Sequence, residues 1–161
     1  MRPERPLPLR QLERDHLPQL AGIASENRTA ARRTLREARS FQQLAQVGID
    51  SGLALPAVSN FHEAARLAVT AIATANGLRF RNTAGEHEAV VDYALAVGIV
   101  DRSEHGRLDL LRRLRHEVNY PADLIEPSAS DLDAISTLVE KVLDAAASTL
   151  PAPKIPPPPK R

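Results

Sequence analysis

The sequence predicts an all-α protein, an antiparallel up-and-down bundle of four to five helices. Apolar residues recur at three- and four-residue spacings from about residue 9 to residue 150. No stretch alternates apolar and polar residues over six positions, as a half-buried strand does. Long helical segments with short connections are typical of such bundles. A chain of 161 residues is long enough for one domain with its own core.

Prolines near both ends predict three regions of the chain. MRPERPLPLR opens the sequence and PAPKIPPPPKR closes it. Because proline cannot donate a backbone hydrogen bond, we expect residues 1–8 and 151–161 to be extended and flexible. The bundle is expected over residues 9–150. The last segment is interpreted as a solvated tail rather than a polyproline ligand.

The first two long helices follow a shorter helical stretch at about residues 9–23. The first is expected from about residue 25 to 47, with Ser25 or Asn27 as its N-cap. The second starts after Pro56 and ends at Gly77, because glycine commonly follows a helix C-terminus. The apolar face of the first contains Leu35, Ala38, Phe41, Leu44 and Ala45. The face of the second contains Val58, Phe61, Ala65, Ala68, Ile72 and Ala75.

The last three helices are marked by glycine, proline and serine. The third is expected at about residues 84–97, before Gly98, and the fourth at about 104–119, because Pro121 disfavours helical geometry in the residue before it. The fifth begins at Ser128 or Ser130, the latter in a capping box with Asp133, and runs to residue 148. Its apolar stripe contains Leu132, Ile135, Leu138, Val139, Val142 and Leu143.

Composition excludes several classes of function. The absence of cysteine excludes disulfides and thiolate zinc sites. A net charge of +1 argues against a broadly basic nucleic-acid surface, and 3% aromatic residues supply a base-stacking surface poorly. No apolar run is long enough to span a membrane and no secretory signal is evident, so a cytoplasmic protein is expected. We expect no metal and no cofactor.

The stretch RRLRHEVNYP, residues 112–121, is the main candidate for a functional site. On a helix, Leu111 and Leu114 share an apolar face, and polar side chains occupy the other side. The ligand-binding candidates are Arg112, Arg115, His116, Asn119 and Tyr120. The alternative is a solvated helix end, because the macrodipole favours cations there by roughly 0.3 to 1 kcal/mol each.

Four segments, in order, resemble the helices of a known family. They are RRTLREARSFQQLAQVG, VSNFHEAARLAVTAIATANGLRFR, NTAGEHEAVVDYA and LRRLRHEVNYP. Together they resemble the HEPN family over about residues 28–148. The resemblance implies a homodimer, or a heteromer with a partner protein, that pairs beside the arginine-bearing helix. It also implies a setting in prokaryotic toxin–antitoxin or phage-defence systems.

The resemblance also implies a chemistry, and the chain departs from it at one residue. Active ribonucleases of the HEPN family carry Arg-x4–6-His at this helix end and cut RNA without a metal. Arg115 matches the arginine and His116 the polar position after it, but Tyr120 stands where the histidine is expected. A tyrosine with a pKa near 10 is a poor general base at neutral pH. Arg115, His116 and Tyr120 are candidates only for a variant catalytic site, so an enzyme is the less favoured interpretation.

Two other segments match the arginine–histidine spacing elsewhere in the chain. RNTAGEH joins Arg81 to His87, and RQLERDH joins Arg10 to His16. Neither lies at the end of the fourth helix. His87 resembles the histidine with which the third helix of the family begins, and we interpret it as structural.

The remaining histidines are interpreted as structural too. His62, beside Glu63 on the second helix, is expected to be a buried or rim histidine. His105 and Asp101 are two possible metal ligands, too few to indicate a metal site.

Three hypotheses follow for the function. The favoured one is a HEPN-like binding module for RNA, a nucleotide or a partner protein, without efficient catalysis. The alternatives are a metal-independent ribonuclease toxin with a variant site and a helical scaffold without a ligand. Association is expected also because the second helix has more small residues than one internal face requires: Ala64, Ala65, Ala68, Ala71 and Ala75.

Overall fold

Five helices make up most of the chain described by the computed structural model, which covers residues 20–22, 28–81, 85–119 and 126–150. They are α1 (Arg28–Asp50), α2 (Ala54–Ala75), α3 (Glu86–Ala96), α4 (Arg102–Asn119) and α5 (Ala129–Thr149). The predicted all-α class and the five helices are confirmed. The proline-rich ends and the predicted caps of α1 lie outside the described residues.

A short pair of strands departs from the expectation of helical structure throughout residues 9–150. β1 (Leu20–Gly22) pairs antiparallel with β2 (Leu78–Phe80), with Leu20 opposite Phe80. Each strand has only three residues, too few to show the alternation that identifies a strand in a sequence. Gly77, with φ 76°, allows the chain to turn from α2 into β2. The helical stretch predicted at residues 9–23 is therefore wrong at its last residues.

The helix ends follow the capping chemistry of the sequence, with two shifts. α2 begins before Pro56, which is tolerated because the first-turn amides of a helix need no intrahelical partner. The capping box of α5 is formed by Ser128 and Asp131, not by Ser130 and Asp133. Ser128 Oγ accepts from the Asp131 amide at 3.1 Å, and Asp131 Oδ2 accepts from the Ser128 amide at 2.9 Å.

Helix α2 lies at the centre of the bundle and contacts each of the other four helices. Its predicted apolar face is buried throughout. The predicted stripe of α5 is also buried, with Ile135 at its edge. Leu44 of α1 is the exception to the predicted faces, since 53% of it is exposed. It lies beyond the edge of the buried stripe that runs through Leu35, Ala38 and Ala45.

Polar and aromatic contacts fix α3 against its neighbours. The Phe80 and Tyr93 rings meet edge to face at 5.6 Å between centroids, and the Tyr93 hydroxyl accepts from Asn76 Nδ2 at 3.2 Å. His105 Nε2 lies 2.8 Å from Asp92 Oδ1, which joins α4 to α3. These contacts hold the second half of α3 against α4, β2 and the C-terminal end of α2. No helix in the described part of the chain is both long and apolar enough to cross a membrane.

Candidate functional site

Stripes on three helices converge on a small cavity at the centre of the site. α2 contributes His62, Ala65, Arg66 and Val69, α3 contributes His87, Val90 and Val91, and α4 contributes Leu108 and Leu111. Each stripe follows the three- and four-residue spacing of one helix face. The aliphatic side chains form an apolar wall, and the polar groups of the lining come from His62, Arg66 and His87. The space open to the centre of a water molecule is about 20 Å³.

Two histidines stack on each other at the polar side of this cavity. The ring centroids of His62 and His87 are 5.3 Å apart, with an interplanar angle of 29°. His62 is only 5% exposed, and His87 is half-buried in the first turn of α3. Among the described residues, neither Nδ1 atom has a hydrogen-bond partner, although both are buried. Buried polar atoms without partners are uncommon, so this pair is unusual for a purely structural contact.

An ion-pair network holds the residues around the two rings. Arg66 forms a two-point pair with Glu63 of the same helix, with Nε to Oε2 at 3.1 Å. Its other terminal nitrogen lies 4.0 Å from Glu86 Oε1, in the first turn of α3. Arg66 therefore links α2 to the helix that carries His87.

Arg115 adds a further positive charge to this cluster. It lies one turn after Leu111 and two turns after Leu108, so it continues the α4 stripe that lines the cavity. The charge of Arg115 acts on both His62 and His87, and also on Glu63. Its side chain is half-buried, like that of Arg112. Arg115 lies at the rim of the buried stripe.

Burial and the neighbouring arginines keep both histidines neutral at pH 7. Burial, followed by the charges of His87 and Arg115, lowers the pKa of His62 to about 3. Burial also lowers the pKa of His87, and Arg115 and Arg66 act in the same direction. A neutral imidazole has one nitrogen that donates and one that accepts. The cavity thus presents both kinds of hydrogen-bonding group without a net charge on either ring.

The structure describes only part of the predicted site at the end of α4. Arg112 Nε donates to Asp109 Oδ1 at 2.9 Å, and Arg113 Nε lies 3.3 Å from Asp109 Oδ2, so one carboxylate serves two arginines. His116 and Asn119 belong to α4, but their side chains lie outside the description. Tyr120 lies outside the described residues altogether.

The structure describes one of the two other segments that match the arginine–histidine spacing, the one from Arg81 to His87, in part. Arg81 is exposed at the end of β2, and it is not among the charges that act on His87. Arg10 and His16 lie outside the described residues.

The interpretation of His62 as a buried histidine is confirmed. Its proximity to His87 and Arg115 was not predicted, because the three residues are far apart in the sequence.

His105 and Asp101, the two possible metal ligands, have structural partners instead. His105 pairs with Asp92 of α3, while Asp101 Oδ1 accepts from the Glu104 amide at 2.8 Å and so caps α4. The described residues contain no group of three or more histidines and carboxylates placed to hold a metal ion.

The fold and the site together define an all-α domain with an arginine–histidine cluster between its second, third and fourth helices. The family model of the HEPN domain matches residues 31–149. The chain therefore belongs to the HEPN domain family, as its sequence segments suggested. No curated protein and no solved structure matches the chain.

Proposed function

We propose that this HEPN-family helical module binds the phosphate groups of RNA or a nucleotide at Arg115, without cleaving RNA efficiently. The observation that carries the proposal is the position of Arg115. Its half-buried side chain follows Leu111 by one turn on the α4 stripe that lines the cavity, and its charge acts on His62, His87 and Glu63. No ion pair joins it to another described side chain, whereas Arg66 and Arg112 have carboxylate partners.

The chemistry of the cluster favours binding over cleavage. Metal-free cleavage of RNA needs one group to take the 2′-hydroxyl proton and another to protonate the leaving oxygen. Arginine stays protonated and cannot exchange protons at neutral pH. With a pKa of about 3, His62 is a neutral imidazole at pH 7, not an imidazolium, and cannot act as the acid. The cluster can therefore hold a phosphate more readily than it can complete the reaction.

Replacing Arg115 with alanine should weaken RNA binding about tenfold or more, because a charge-assisted contact to phosphate contributes roughly 1.5 to 3 kcal/mol. Fluorescence anisotropy with a labelled single-stranded RNA measures this directly. Arg107→Ala is the matched control, since Arg107 is an exposed arginine on the same helix, in a groove with Glu104 and Asp133. Equal affinities of the two variants would contradict the assignment.

A ribonuclease is the second candidate, and the stacked histidines beside Arg115 favour it. In that case His87 would replace the histidine missing at position 120. We expect purified protein incubated with mixed RNA in chelator to leave the RNA intact at pH 7. Strong cleavage that disappears in both Arg115→Ala and His87→Ala would establish the ribonuclease instead. Absence of both binding and cleavage would leave the scaffold hypothesis.

The oligomeric state and the biological setting belong to the proposal as well. We propose a homodimer, or a pair with a partner protein, in a prokaryotic toxin–antitoxin or defence system, as the family implies. The alanines of α2 no longer support this association, because all five are buried within the chain. Sedimentation at tens of micromolar protein tests the homodimer, and a monomer would leave only the heteromeric form.

A further inference from the structure

One exposed stripe runs along α1 on the side turned away from the core. It consists of five residues at three- and four-residue spacings, all of them exposed: Arg33, Arg36, Ser40, Leu44 and Val47. We call it the outer stripe of α1. It is about 21 Å long, because a helix rises about 1.5 Å per residue. Helix α1 packs mainly on α2 and less extensively on α5, and both lie on its other sides.

The C-terminal end of the outer stripe is apolar. Leu44 and Val47 are 53% and 60% exposed, and Leu53, in the connection to α2, is 54% exposed. The Leu53 amide donates to the Gly48 carbonyl at 2.7 Å, which keeps Leu53 beside the end of α1. Among the described residues, Leu110 is the only other large apolar side chain that is exposed. Single exposed apolar residues are ordinary, whereas a cluster of them indicates a contact surface.

The N-terminal end of the outer stripe is basic. None of the ion pairs among the described residues involves Arg33 or Arg36. The charge of the neighbouring Glu37 acts on Arg66 of α2. The first two turns of α1 contain three arginines and no acidic residue, although the macrodipole favours acidic side chains at a helix N-terminus. Helix stability therefore does not explain these arginines, and acidic groups of another molecule would complement them.

We propose that the outer stripe docks a helical segment of a partner protein that is acidic at one end and apolar at the other. A straight stripe at helical spacing is a surface on which a second helix packs. The segment pairs its carboxylates with the two arginines and buries the leucine and valine at the other end. The inference does not depend on phosphate binding at Arg115, and it assigns a surface to the heteromeric form of the protein.

Other occupants fit the outer stripe less well. Two copies of the stripe would set the basic end against the apolar end in antiparallel pairing, and arginine against arginine in parallel pairing. The chain's own terminal segments, residues 1–19 and 151–161, carry more basic than acidic residues. Surfaces for single-stranded RNA use aromatic side chains for stacking, and the stripe has none. A membrane-surface helix has basic and apolar residues on adjacent faces, whereas here they follow each other along one face.

Labelled helical peptides test the proposal by fluorescence anisotropy on the full-length protein. The probe carries glutamates on one face of one half and leucines on the same face of the other half. It is made in both orders, for parallel and antiparallel docking, and a matched peptide has lysine in place of every glutamate. We expect one glutamate peptide to bind about tenfold more tightly than its lysine counterpart, because opposite charges meet at the basic end. No binding of either glutamate peptide would overturn the proposal.

Variants of exposed residues show whether the peptide occupies the outer stripe. The double variant with Arg33→Glu and Arg36→Glu should reverse the preference, so that the lysine peptide binds more tightly. Val47→Ser should weaken both peptides, and Arg107→Glu, the control on α4, should keep the wild-type preference. Circular dichroism checks the fold, which substitutions of exposed residues change little. An unchanged preference in the double variant would show that the peptide binds elsewhere and would overturn the proposal.

Two further outcomes would overturn the proposal by identifying a different occupant. A homodimer that becomes monomeric in Val47→Ser, measured by sedimentation, identifies a second copy of the chain. RNA binding that is lost in the double variant, with no peptide bound by the wild type, identifies RNA. Peptide binding by a wild type that binds no RNA would refute phosphate binding at Arg115 instead, and would leave the outer stripe as the partner surface.

Discussion

Lowering the pH from 7 to 5 should reduce the free energy of unfolding by about 2 kcal/mol through His62 alone. The pKa of His62 is lowered from 6.5 to about 3 in the folded protein. Below pH 6.5 the unfolded chain takes up a proton at this histidine and the folded protein does not, so acid favours unfolding. The stabilisation is fully present above pH 6.5 and is lost progressively as the pH falls, and the loss approaches roughly 5 kcal/mol below pH 3.

The contribution of His62 to the pH dependence of stability has to be separated from that of the charged groups around it. His87, Arg115 and Arg66 oppose its protonation and Glu63 favours it. The pH window stops at 5 because carboxylates contribute to acid unfolding at lower pH. Urea denaturation at pH 7, 6 and 5, on the wild type and on His62→Leu, measures the difference. We expect the variant to lose about 2 kcal/mol less than the wild type over this range. Equal losses in the two proteins would show that His62 is protonated in the folded state.

Replacing Phe61 with alanine should cost about 3 to 5 kcal/mol of stability. Phe61 is fully buried on α2, the helix that contacts all the others. Removing the ring loses its transfer free energy and leaves a cavity that the surrounding helices can fill only in part. Urea denaturation followed by circular dichroism gives the value. A loss below 1 kcal/mol would mean that α2 is not the centre of the core.

Leu44→Ala is the matched control for this core variant. Leu44 belongs to the apolar face predicted for α1, yet it is 53% exposed. Its replacement should change stability by less than about 1 kcal/mol, since surface substitutions have small effects. A loss similar to that of Phe61→Ala would indicate that Leu44 is covered in solution, by a second copy of the chain or by another partner.

Helical periodicity was sufficient to predict the fold class and the buried faces of α2 and α5. Such patterns are reliable because each turn of a long helix repeats the same information about one face. The strand pair was missed because three residues cannot establish a period. The start of α2 was placed too late because proline was treated as a boundary, whereas the first turn of a helix accepts it.

The candidate site could be predicted only in part. Arg115 was found through its place in a family motif, but the action of its charge on His62 and His87 was not predicted. The spacing of Leu108, Leu111 and Arg115 already places the arginine on the stripe that lines the cavity. The stacking of His62 on His87 depends on the packing of α3 against α2, and no local spacing encodes that contact.

The salt dependence of RNA binding tests the central claim, a phosphate contact made by Arg115, most directly. Binding of a single-stranded RNA by the wild type and by Arg115→Ala is measured by anisotropy at several salt concentrations. We expect the logarithm of the affinity to fall linearly with the logarithm of salt, because bound phosphates release counterions. The variant should bind more weakly throughout, with a slope smaller by about 0.7, the value for one phosphate contact on a single strand. An identical slope and affinity in the two proteins, or no RNA binding by the wild type, would contradict the claim.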